Sequence, residues 1–141
     1  DLLPTLLGML DLPLPDEVEG GDYSRTLLGQ SNEEPAGALM MGTGATAAWE
    51  DGHEWRAFRT RQYTYAVYKS DGQELLFDNL ADPFQMHNLM EDPAYAPVAA
   101  ELRARMMAQM EKINDTFESS SYYEQHWVED RIIKCTATLK D

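Results

Sequence analysis

Residues 54–78 read EWRAFRTRQYTYAVYKSDGQELLFD, and the period and punctuation of this stretch decide the fold. Tyr63, Tyr65 and Val67 alternate with Thr64, Ala66 and Tyr68, the two-residue period of a strand with unlike faces. Trp55–Thr60 reads as the strand before it, joined tightly through Arg61 and Gln62. Ser70-Asp71-Gly72-Gln73 is a second turn signal, and Glu74–Asp78 is the next strand. Connections this short join antiparallel neighbours, so the spacing predicts a meander.

Working outward, the pattern changes to strands from about Ala38, Glu50-Asp51-Gly52 is a turn signal and Ala45–Trp49 is the expected first strand. Downstream, Asp82-Pro83 opens an expected helical turn through Asn88. Asp92-Pro93 opens a long helix by the same cap-then-proline logic. Tyr95, Val98, Leu102, Met106, Met110, Ile113 and Phe117 recur three or four apart and form one stripe. The predicted fold class is α+β, a four-stranded antiparallel sheet packed against one long C-terminal helix. The methionines on that helix read as core filling. Beyond it, Tyr122–Val128 reads as a short helix and Ile132–Leu139 as a strand added to a sheet edge.

At the other end, Leu2, Leu3, Leu6, Leu7 and Leu10 form an apolar helical stripe, with Asp1 as the expected cap and Pro13 and Pro15 as the stop. The chain starts with Asp1 inside this packed pattern, so it reads as a piece cut from something longer. Asp16–Gly44 is rich in Gly, Glu, Pro and Ser and reads mostly as loop, with a helical turn at Arg25–Leu28. A loop of that length suggests a surface that lay over a partner. The expected organisation is helix and linker over 1–37, a subdomain over 38–128 and a tail over 129–141.

The chain carries 25 acidic against 11 basic residues, a formal net charge of −14. Such a chain repels phosphate backbones, which argues against a nucleic-acid partner. No apolar run approaches the roughly 20 residues that span a bilayer. Cys135 is the only cysteine, so no internal disulfide forms, and the compartment stays open.

Four segments, in order, resemble the sulfatases of the alkaline-phosphatase superfamily. Asp1-Leu2-Leu3-Pro4-Thr5-Leu6-Leu7-Gly8 is similar to the helix that closes their large domain, which implies an N-terminal helix left over from a larger α/β domain. Val18–Ser24 with Leu27-Leu28-Gly29 is similar to "G-x-D-L-S-x-L-L-x-G". Glu54–Tyr65 is similar to the hairpin "W-R-A-V-R-T-x-R-Y-x-Y". Glu74–Leu89 is similar to "E-L-Y-D-L-x-x-D-P-x-Q-x-x-N-L", the most specific of the four. The likeness spans about residues 1–117, and its implied fold agrees with the elements read from periodicity.

The resemblance implies a parent enzyme that hydrolyses sulfate esters or sulfamates, with calcium and a formylglycine nucleophile, and with this chain as a C-terminal piece beside the pocket. The implied partners are the N-terminal sulfatase domain and a sulfated small molecule or glycan; a periplasmic or secreted parent fits. The nucleophile motif "C/S-x-P/A-x-R" is not matched, because Cys135 precedes Thr136-Ala137-Thr138-Leu139. There is no Asp-Asp pair of the kind that ligates calcium. No catalytic residue, metal ligand or cofactor is therefore expected in this piece, which is expected to be inert alone.

The best candidate substrate surface is Trp49–Arg56, and within it His53, Glu54, Trp55 and Arg56. An indole stacks on a sugar or aryl ring, while His, Glu and Arg supply donors and acceptors for hydroxyls. Against this stand the simpler readings of Trp55 as core and of Arg56, Arg59 and Arg61 as ion-pair partners. Alternation places Arg59 and Arg61 on one face and Arg56 on the other. The alternatives are a phosphodiesterase or phosphonate hydrolase of the same superfamily, and a non-catalytic acidic interaction or carbohydrate-binding module.

Overall fold

A computed structural model describes the chain apart from residues 17, 19, 45–51 and 135–141. It divides into two compact units, Asp1–Ala36 and Gly37–Asp141.

In the first unit, helix α1 runs Leu2–Met9 and a one-turn helix α2 runs Ser24–Leu27. The Asp1 side chain does not cap α1. Its carboxylate instead accepts the N–H of Gly21 at 2.7 Å, tying the linker back to the helix start. Thr5 Oγ1 accepts the N–H of Tyr23, and Asp22 accepts the N–H of Ser24 as the short helix begins. The buried residues of α1 are Pro4 and Thr5, whereas Leu2, Leu3, Leu6 and Leu10 of the apolar stripe are exposed, Leu2 by 75 %.

The second unit holds a sheet of four strands in sequence order, β1 Ala38–Thr43, β2 Glu54–Arg59, β3 Tyr63–Tyr68 and β4 Glu74–Asp78, all antiparallel. The meander is as expected, but its first strand is Ala38–Thr43, within the stretch expected to be mostly loop. Leu39, Met40 and Met41 sit among Ala, Gly and Thr there, too few large residues to mark a strand alone. Pairing with β2 over six positions supplies the order that propensity does not. The expected strand Ala45–Trp49 lies outside the described residues.

Helix α3, Ala96–Lys112, lies on one face of the sheet. It is led in by a 3-10 turn at Pro93–Tyr95, where the Asp92 carboxylate accepts the N–H of Ala94 as a capping aspartate should. The stripe ends sooner than its periodicity predicts. Asn114 takes a left-handed φ of 52° and the N–H of Asp115 bonds to Met110 O, which stops the helix before Phe117. The core is a cross-strand ladder, with Phe58 opposite Tyr65 and Tyr65 opposite Leu76, capped by Ala99, Leu102 and Met106 of α3. Removing a leucine such as Leu76 from water contributes about 2 kcal/mol. At the rim, Tyr65 donates to Glu74 at 2.7 Å, and the Arg103 guanidinium bonds both Tyr65 and Glu74.

The Asp82-Pro83 segment forms turns and no helix. Gln85 has a left-handed φ of 55°, and the N–H of His87 reaches back to the Asp82 carboxylate. After α3 comes helix α4, Ser120–Trp127, capped by the Ser119 hydroxyl. Ile132 and Ile133 (β6) pair with Val128 and Glu129 (β5) through Asp130 and Arg131, both left-handed, the pattern of a tight hairpin turn. This hairpin is a sheet of its own rather than an addition to the four-stranded edge. Residues 135–139 of the expected strand, Cys135 among them, lie outside the described residues. No described helix is long and apolar enough to cross a membrane.

Candidate functional site

β1 and β2 run in register to their shared end, where Gly42 pairs with Trp55 and Thr43 with Glu54. The period of two then divides the four predicted site residues. Glu54 and Arg56 fall on the face that Phe58 presents to α3, and both are buried, at 4 % and 0 % exposure. Trp55 falls on the opposite face and is partly exposed, and His53, just before β2, is exposed.

Gly42 explains how Trp55 fits. A β-carbon added at Gly42 would come within 2.2 Å of the indole Nε1 and 2.6 Å of Cε2. The ring therefore lies across the bare backbone of β1, the kind of close approach glycine permits in a strand. Glu54 is held between two glycines. Its carboxylate accepts the N–H of Gly52 at 2.8 Å, and a β-carbon at Gly44, where φ is +82°, would come within 2.6 Å of it.

Arg56 uses every donor it has. Nε and one terminal nitrogen grip the Asp115 carboxylate at 2.5 and 2.8 Å. That terminal nitrogen also donates to Glu118 O, and the other donates to the carbonyls of Gly42 and Trp55 at 3.1 and 3.0 Å. The guanidinium lies over the Phe117 ring, 4.7 Å from its centroid. Asp115 in turn accepts the N–H of Phe117 and the Tyr123 hydroxyl, both at 2.9 Å. Burial alone would raise the Asp115 carboxyl, but Arg56 and these two donors outweigh it and hold it below its ordinary value. Burial opposes the charge on Arg56, and the Asp115 carboxylate more than offsets it.

Arg59, on the Trp55 face, has a different task. It donates to Thr64 Oγ1 at 3.0 Å, Thr64 donates to Asn79 Oδ1, and the Gln85 amide donates to both Thr64 and Asn79. The arginine of the hairpin and the glutamine of the Asp-Pro-x-Gln turn thus belong to one network. Asp115, Glu118 and Tyr123 are the residues that sequence reasoning missed. They lie 59 to 67 positions from Arg56, and no spacing rule reaches that far.

Among the described residues no group of three or more His, Cys, Asp or Glu side chains is placed to hold a metal ion. They do not fit a calcium site, and the resemblance implies calcium for the parent rather than for this piece.

Residues 1–112 match a family model described as "N-sulphoglucosamine sulphohydrolase, C-terminal". An ulvan-active sulfatase of Formosa agariphila is 37 % identical over 123 residues, 87 % of this chain and 24 % of the relative. In three dimensions the chain is similar to a 2-O GAG sulfatase, with 25 % identity and a TM-score of 0.68, over 92 % of this chain and 26 % of that one. It is also similar to the phosphonate monoester hydrolase of Agrobacterium radiobacter, with 25 % identity and a TM-score of 0.58, over 77 % of this chain and 24 % of that one. The chain spans about a quarter of the length of the curated sulfatase it matches.

Proposed function

The chain belongs to the family of N-sulphoglucosamine sulphohydrolase C-terminal domains, and from that premise we propose that it is the substrate-facing subdomain of a sulfatase acting on a sulfated glycan. The observation that carries this is the division at the start of β2. Trp55 lies across Gly42 and is partly exposed, two positions along from exposed His53, while Glu54 and Arg56 are buried. A partly exposed indole is a stacking surface for a sugar ring, and an exposed imidazole bonds hydroxyls or sulfate oxygens. In this reading Trp55 and His53 touch substrate, and Glu54 and Arg56 hold them in place.

The chemistry itself falls to a larger domain of the same polypeptide. The relative's greater length supports this, as do the exposed leucines of α1, an apolar face of the kind that another packed surface covers. This chain alone is then inert toward sulfate esters; turnover of 4-nitrophenyl sulfate by the purified chain would overturn that part of the proposal. The likeness to a phosphonate monoester hydrolase reflects a subdomain fold shared across different chemistries. The 37 % identity to an ulvan-active sulfatase favours sulfate.

The test is kinetic. In the full-length protein, W55A should raise KM for sulfated ulvan oligosaccharides about tenfold and leave kcat within about twofold. H53A should act in the same direction. Wild-type kcat/KM in both variants, on every sulfated oligosaccharide the enzyme turns over, would sink the substrate role of this surface.

A further inference from the structure

The geometry points to Asp115 as a positioning residue for substrate recognition, acting through Arg56 on the backbone that carries Trp55. This inference rests on the substrate role proposed for Trp55. The match to the family model ends at residue 112, so the segment that supplies the acid lies outside it.

The clamp has its ends in two places. At one end the Arg56 guanidinium donates to the carbonyl of Trp55 and to the carbonyl of Gly42, the glycine beneath the Trp55 ring. At the other it is gripped by Asp115 and the carbonyl of Glu118. Asp115 is fixed by the Tyr123 hydroxyl and the Phe117 N–H, and Glu118 is tied to Lys69 at the end of β3 at 2.6 Å. Both strands under the indole are thereby fastened to the turn after α3.

The chemistry of the clamp explains why the acid matters. A fully buried guanidinium that loses its carboxylate must turn toward other acceptors, and the two nearest are the carbonyls it already holds. Any such turn shifts Gly42 or Trp55, and a shift of about 1 Å in a stacking ring is enough to weaken recognition. Asp115 touches no substrate in this arrangement, and its effect passes through Trp55.

A double-mutant cycle in the full-length protein tests this with the oligosaccharide assay described above. D115N should raise KM about fivefold, and Y123F, which removes one bond to Asp115 and a long one from the Glu118 N–H, about twofold, with kcat within about twofold in each. In the W55A background both should have little further effect, because the ring they position is gone. A purely structural role would instead lower only the active fraction, reducing kcat at constant KM. Should D115N fail to fold, the Y123F and W55A pair decides the matter. Wild-type KM in W55A would overturn the substrate role of Trp55 and this inference with it. A raised KM in W55A with unchanged KM in Y123F and in folded D115N would overturn this inference alone. So would D115N or Y123F effects that multiply in full on top of W55A.

Discussion

The side-chain oxygen of Asn88 accepts the backbone N–H of Leu76 at 2.9 Å, so a carboxamide occupies the place of a neighbouring strand. Its nitrogen donates to Glu74 O, and the N–H of Leu89 donates to Leu76 O at 2.8 Å. These bonds close the free edge of β4, which would otherwise present unpaired backbone groups. The Asn-Leu pair that ends the fourth recognisable segment is therefore an edge device. N88A should destabilise the second unit by about 1–3 kcal/mol, because it removes the partner of the Leu76 and Met90 N–H groups and of the Glu74 carbonyl together. N88D should be no better, since it loses the donor and sets a carboxylate against Glu74 O. Urea unfolding followed by circular dichroism measures both; a change within 0.5 kcal/mol for N88A, roughly the noise of surface substitutions, would remove the edge role.

Much of this architecture was legible before any coordinates. The two-residue period of Tyr63–Tyr68 marked β3 as a strand with unlike faces, and Asp92-Pro93 announced the start of the segment that leads into α3. What was not legible has common physical causes. β1 draws its order from pairing with β2, a tertiary effect invisible to local propensity. The turn after Asp82 bends at Gln85 in a left-handed conformation that is unfavourable for a non-glycine residue. Its bonds to Thr64 and Asn79, from other parts of the chain, hold it there. In the candidate site, alternation separated Trp55 from Glu54 and Arg56. The acid that completes Arg56 comes from beyond the long helix, and only the folded chain brings it there.

The Arg56–Asp115 pair has a pH signature. The folded pKa of Asp115 lies below its ordinary value of 3.8, so the carboxylate is bound more strongly in the folded chain than in the unfolded one. Its contribution is complete above the unfolded value and is lost as pH falls through the folded value. Stability of the wild-type chain should therefore drop below about pH 4. D115N should be less stable at neutral pH and show a flatter acid limb. Melting temperatures between pH 2 and 7 report the difference, and parallel acid limbs for the two proteins would show that Asp115 does not contribute.

Gly42 offers a change that should disturb the Trp55 ring while sparing the core. In G42A the new methyl group occupies the space of the indole, which must swing off β1. The atoms in the way belong to a side chain, so the stability cost should stay near 1 kcal/mol while the ring changes its environment. The near-ultraviolet circular dichroism and tryptophan emission of G42A should therefore shift more than its unfolding midpoint does. Spectra identical to wild type would mean that the indole does not lie across Gly42.

The exposed leucines of α1 make a prediction about the chain on its own. Leu2, Leu3, Leu6 and Leu10 recur along one short helix, and none is buried. Apolar area of this kind, at about 25 cal/mol per Å2, is sufficient to drive weak association. The net charge of −14 opposes it at long range, but salt screens that repulsion and leaves the apolar term intact. The chain should therefore be largely monomeric in dilute low-salt buffer and should self-associate, with Kd on the order of 100 µM, in 0.5 M salt. The variant L2S/L3S/L6S should remain monomeric under both conditions, because serine removes the apolar area without touching Pro4 or Thr5, the buried residues of the helix. Sedimentation equilibrium across this salt range distinguishes the cases. Association that weakens with salt, or that survives in the triple-serine variant, would move the sticky surface away from α1.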